Sequence, residues 1–106
     1  LPVPCWIKGA ALYREGKFAD AELLYKEGLL RNPRHPARFS ARLDLAFCLA
    51  KNLKLEEAEE QLRHVITFSP ELREAYVRLA RLQLRIGHSL EASWTLRRAF
   101  QRITPD

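Results

Sequence analysis

Apolar positions along the chain recur at helical spacing, and no stretch alternates with period two. Ala21, Leu24, Tyr25, Gly28 and Leu29 fall on one helical face, as do Ala58, Leu62, Val65 and Ile66, and Leu45, Cys48 and Leu49 form a third stripe. The pattern predicts six helices: Val3 to Glu15, Ala19 to Arg31, Ala37 to Lys51, Leu55 to Phe68, a fifth ending at Ile86 and a sixth ending near Arg102. Gly16 and Gly87 are helix stops, because glycine enters the left-handed conformation that closes a helix without steric cost. Asn32-Pro33 ends the second helix. Ser69-Pro70-Glu71 reads as the start of the fifth, with serine as cap and proline in the first turn, and Ser89 reads as the cap of the sixth. The expected class is all-α.

The helices fall into copies of one pattern. Gly9, Ala46 and Ala80 correspond, as do Gly16, Leu53 and Gly87 at the turn, then Ala21, Ala58 and Ala92, then Tyr25, Leu62 and Leu96, then Gly28, Val65 and Ala99. Ala58 follows Ala21 by 37 residues and Ala92 follows Ala58 by 34. Pro33 and Pro70 close the first two copies, and Pro105 closes the third one residue late. A period of this size signals stacked helical pairs. The small residues permit two antiparallel helices to cross closely. Leu12, Leu49, Leu79, Leu62 and Leu96 are then expected to fill the space above and below each crossing.

The run from Gly16 to Leu29 followed by Asn32-Pro33 resembles the tetratricopeptide repeat family. So do Leu55-Glu56-Glu57-Ala58 through Ser69-Pro70, and Tyr76 to Ala80 continuing through Ala92 and Ala99. The resemblance covers the chain as one domain, residues 1–106, with repeats at about 2–35, 39–72 and 73–106. It implies a right-handed superhelix (a solenoid) of three helix-turn-helix units, whose concave groove holds a peptide or helix of a partner. Seated on the family pattern, that groove shows Trp6 and Ala10 from the first helix. Ser40, Leu43, Asp44, Phe47 and Lys51 come from the third, and Glu74, Val77, Arg78, Arg81 and Arg85 from the fifth. Leu53 replaces the turn glycine, Lys8 stands where a leucine is usual, and Trp6 is one residue from the usual aromatic place. Some family members grip a chaperone's terminal carboxylate with lysine–asparagine and lysine–arginine pairs. Here only Arg78 matches, and Asp44 would repel a carboxylate.

Charge sharpens the picture. The chain of 106 residues has a formal net charge of +5, of which residues 73–106 carry +4, all seven bases there being arginine. Arg78, Arg81 and Arg85 share one helical face. They form either an anion-selecting wall or an ordinary solvated face partly neutralised by Glu74. Trp6, Leu43, Phe47 and Val77 form an apolar strip beside them, or else Trp6 and Phe47 are core. Aromatics and arginine are the types that dominate binding hot spots. Trp94 lies off the core face of the sixth helix. With Phe100 it marks a second contact, toward a further repeat, a self-associating edge or a partner, with burial of Trp94 against the fourth helix as the alternative.

Nothing suggests chemistry. His35, His64 and His88 lack metal-ligand spacing, and no phosphate loop, nucleophile elbow or carboxylate pair occurs, so neither an enzyme nor a cofactor is expected. Glu56, Glu57, Glu59 and Glu60 read mostly as an outer helix face. Cys5 and Cys48, without CxxC spacing, read as small buried residues. There is no apolar run of membrane-spanning length and no signal peptide, so a cytoplasmic location is expected. The start at Leu1, close to a repeat, suggests a piece of a longer chain. The function expected is a protein-interaction scaffold for an acidic, apolar segment. The alternatives are RNA or other nucleic-acid binding through the basic third repeat, and a regulatory or spacer repeat attached to a catalytic domain.

Overall fold

Three left-handed turn residues set the course of the chain. Gly16, Leu53 and Gly87 have φ of 79°, 63° and 100°. Each is followed by the same pair of closing hydrogen bonds. Lys17 N donates to Leu12 O and Gly16 N to Tyr13 O; Lys54 N to Leu49 O and Leu53 N to Ala50 O; His88 N to Gln83 O and Gly87 N to Leu84 O. This double bond satisfies carbonyls that a helix end otherwise leaves open and reverses the chain tightly. In the computed structural model, which describes residues 2–103, six α-helices result. They are α1 (Pro4–Arg14), α2 (Phe18–Arg31), α3 (Arg38–Lys51), α4 (Leu55–Phe68), α5 (Arg73–Ile86) and α6 (Ser89–Ile103). No strand occurs among the described residues, and each helix packs chiefly on the next in sequence. The array measures 40 × 29 × 20 Å. It is an all-α helical repeat superhelix. No helix among the described residues is long and apolar enough to cross a membrane.

The core runs along the array as the repeated pattern requires. Gly9, Ala46 and Ala80 are buried, and so are Ala21, Ala58 and Ala92 on the facing helices. Tyr25, Leu45, Cys48, Leu49, Val65 and Tyr76 are the largest side chains fully out of solvent. Cys5 is half-buried and Cys48 buried, both as free thiols, and burial pushes the Cys48 thiol up to about 11.

Three expectations need correction. Ser69-Pro70-Glu71 is a turn rather than the start of α5: Ser69 Oγ donates to Glu71 Oε1, Leu72 N closes on Ser69 O, and the helix begins at Arg73 without a side-chain cap. The carbonyl of Pro70 instead accepts from Tyr76 Oη at 3.0 Å, which ties the turn to α5. Ser89 is the first residue of α6, and His88 supplies the first helical carbonyl, accepting from Ala92 N. Leu96 is 48% exposed, although its counterparts Tyr25 and Leu62 are buried. Those two lie beneath the helix that follows each pair; no described element follows α6 to cover Leu96. Pro105 lies outside the described residues.

Candidate functional site

A cleft of about 350 Å³ opens where α3 and α5 diverge. Leu62 and Leu82, both buried, belong to its floor, and Ala46 and Ala50 leave room in its wall. Phe47, Val77, Arg78, Arg81 and Arg85 also line it, with Glu74 at one side. The structure thus brings six of the sequence-predicted groove residues into one concavity. A helical pitch of about 3.6 residues accounts for the α5 members, because 74, 77, 78, 81 and 85 share a face.

The arginines differ in how they are held. Arg78 Nη2 and Nε donate to Glu74 Oε1 at 2.7 and 3.1 Å, and Nη1 reaches the Leu43 carbonyl at 3.4 Å. It is therefore a strut between α5 and α3. Arg81 and Arg85 are exposed and make no hydrogen bond or ion pair with any described residue. Their guanidinium forks face solvent at the cleft, in the arrangement that pairs bidentately with carboxylate or phosphate.

Beside the cleft lies a cluster of rings. Phe47 meets Tyr13 at 5.0 Å and Phe18 at 5.7 Å between centroids, and Tyr13 meets Phe18 at 5.8 Å. Lys51, exposed, holds its ammonium 5.3 Å from the Phe47 ring and 5.9 Å from Phe18, within reach of a cation–π attraction. Tyr13 and Phe18 were not anticipated here. The available signal was that Tyr13 and Phe18 flank the first turn and Phe47 approaches the second, so stacking the copies brings the rings together.

Asp44 is half-buried and accepts from Tyr25 Oη at 3.3 Å. Burial raises its pKa, and Glu74 adds to that, against the opposing pull of the Tyr25 hydroxyl and Arg78. Burial and the Asp44 carboxylate raise Tyr25 in turn. Leu43 is buried and offers only its carbonyl.

Trp6 does not belong to the groove. It is 9% exposed, its Nε1 donates to the Tyr25 carbonyl at 3.3 Å, and its ring meets His35 edge-on at 5.2 Å. The reason is Gly28: a Cβ there would stand 2.6 Å from Trp6 Cδ1, so the missing side chain makes the notch that holds the indole. Trp94 and Phe100 are 55% and 66% exposed on α6, and Arg97 lies 5.1 Å over the Trp94 ring. Trp94 is thus not buried against α4.

Two buried carboxylates escaped the sequence reading. Glu22 is 2% exposed and accepts from Asn52 Nδ2 at 2.7 Å, Lys54 Nζ at 2.8 Å and Lys26 Nζ at 2.9 Å. Burial raises its pKa, but bonds from Lys54, Lys26 and Asn52 prevail and hold it at about 2. Glu59 sits at the matching place in the next copy and is buried, not on an outer face. It accepts from Arg63 Nη2 at 2.8 Å and Gln83 Nε2 at 3.3 Å, and Gln83 Oε1 in turn accepts from Thr95 Oγ1 at 2.7 Å. Each glutamate therefore stitches its own pair to the next. Both follow the repeat alanine and precede a base by four residues, which is the signal that could have revealed them. The structure also gathers one ligand atom each from Glu59, His88 and Glu91 within 4.8 Å of one another, a grouping that sequence spacing did not show. Arg63 already lies on both carboxylates, at 2.8 Å from Glu59 and 3.2 Å from Glu91.

Comparison with known proteins finds a relative of the same pattern. Over 84 residues the chain is 36% identical to the TPR repeat-containing thioredoxin TTL4 of Arabidopsis thaliana. The match covers 79% of this chain and 12% of the relative, so the chain spans about an eighth of that protein. No family model matches the chain.

Proposed function

Because the chain is a repeat protein of the tetratricopeptide type, a class that generally serves as a protein-interaction scaffold, we propose that its α3–α5 cleft holds an acidic, apolar segment of a partner protein. The observation that carries this reading is the meeting of Phe47, Val77, Arg81 and Arg85 around one cavity of about 350 Å³. Phe47 and Val77 take up apolar side chains over the Leu62–Leu82 floor, where displaced water supplies the drive. Arg81 and Arg85 select carboxylates beside them. Arg78 positions α5 against α3, and the Tyr13–Phe18–Phe47 rings extend the platform.

A fluorescein-labelled peptide of alternating leucine and glutamate provides the probe, with its leucine–lysine counterpart and a mixed single-stranded oligonucleotide as comparisons. The acidic peptide is expected to bind, and Arg81→Glu with Arg85→Glu to weaken it at least about tenfold, the loss of roughly one charge-assisted hydrogen bond, without changing the melting curve. Equal binding of both peptides, or tighter binding of the oligonucleotide at low salt, would refute the acidic-segment reading.

A further inference from the structure

On the side of α3 away from the cleft, where it packs on α4, a second basic group gathers. Arg42 lies about 140° around α3 from Phe47, at roughly 100° per residue. Its Nη1 donates to Gln61 Oε1 at 2.7 Å, while its Nε is buried with no hydrogen-bond partner. Arg38, one turn earlier, donates from Nη1 to the His35 carbonyl at 3.0 Å, with its guanidinium carbon 4.4 Å over the Phe39 ring. From α4, His64 sets its ring 6.4 Å from Phe39 and 4.7 Å from Phe68, and Phe68 is 64% exposed.

No hydrogen bond or ion pair joins Arg38, Arg42 or His64 to a carboxylate among the described residues. Lys26, Lys54, Arg31, Arg63 and Arg78, by comparison, are each within 3.0 Å of a glutamate oxygen. The group also repels itself. Burial and then Arg38 lower Arg42; burial and then Arg42 and Arg38 lower His64. Three neighbouring bases without a counter-charge make a place where an anion gains charge-assisted bonds from the guanidinium nitrogens outside the Gln61 and His35 contacts and relieves repulsion together.

We infer that Arg38, Arg42 and His64 form a binding site for a phosphate group, flanked by the exposed ring of Phe68. A dianion with three acceptor oxygens matches two guanidinium groups and an imidazole better than a single carboxylate does. The phosphate is either free or carried on an organic molecule, in which case the carrier lies against Phe68. The site is independent of the α3–α5 cleft.

The test follows the ring resonances of His64 by NMR at pH 7 and constant ionic strength, with inorganic phosphate in one series and phenyl phosphate in another. The expected result is a saturable shift, and a pH series at saturating phosphate should show the His64 pKa raised. Arg42→Gln and Arg38→Gln should each weaken it about tenfold, while Arg81→Gln with Arg85→Gln leaves it unchanged. Arg38→Gln alters only a half-exposed side chain, so the test stands even if Arg42→Gln unfolds the array. Tighter binding of phenyl phosphate that Phe68→Ala abolishes would identify a carried phosphate; equal binding of both would identify the free ion. Absence of saturation by about 50 mM, a range weaker than two charge-assisted bonds provide, would overturn the site, as would a phosphate titration in both arginine variants identical to that of the parent protein.

Discussion

Replacing Glu22 by glutamine tests whether the array is held together by polar stitches as well as by its apolar core. Glu22 is almost fully out of solvent and takes bonds from Lys26 on its own helix and from Asn52 and Lys54 at the next turn. Depression of its pKa from the usual 4.5 to about 2 corresponds to about 3 kcal/mol if taken whole. Lys26 and Lys54 are 37% and 48% exposed, so solvent screening reduces the expected contribution to about 2 kcal/mol. The folded pKa is the lower one, so this stability is present above pH 4.5 and drains away as the pH falls toward 2. Glu59, also depressed through Arg63 and Gln83 against the opposing effect of burial, adds in the same sense. Glu22→Gln should therefore lose about 2 kcal/mol at pH 7, a fall of roughly 10 °C in melting temperature, and much less at pH 2.5. Urea denaturation followed by circular dichroism between pH 2.5 and 7 measures both quantities. If parent and variant lose stability in parallel over that range, the charge on Glu22 is not what joins the first two helical pairs.

Further perturbations address other joints. Leu53 holds φ 63° while 72% exposed, so Leu53→Gly removes steric strain without removing packing. It should stabilise the protein by about 1 kcal/mol, and a thermal melt showing no gain would deny the strain. Gly87→Ala, at φ 100°, should cost about as much and is read by the same melt. Gly28→Ala gains about 1 kcal/mol of helix propensity yet drives a methyl into Trp6, so a net loss of about 2 kcal/mol is expected. Followed by Trp6 fluorescence in a Trp94→Phe background, a stabilised Gly28→Ala protein with unchanged emission would show that the indole is seated elsewhere. Arg78→Ala should lower stability by about 1 kcal/mol through loss of its bonds to Glu74 and the Leu43 carbonyl. Arg81→Ala and Arg85→Ala should leave the melt unchanged, and equal effects of all three would erase the distinction between strut and contact residues.

The local pattern determined much of this protein. Helix periodicity marked out every helix, because burial of one face needs apolar residues about every 3.6 positions and no neighbour is required to read that spacing. Leu53 aligned with Gly16 and Gly87 despite its side chain, and it shares their left-handed conformation because the same two closing bonds demand it. The α5 arginines and Phe47 were legible for a similar reason: their faces follow from phase alone. Tertiary structure decided what depends on distant partners. Trp6 became core because Gly28, on another helix, leaves a notch. Glu22 and Glu59 became buried stitches because the following turn or helix brings donors onto them. Leu96 remained exposed because burial at that position comes from the next helix, not from its own. Sequence phase states which way a residue points on its own helix; only the packed array states what it meets there.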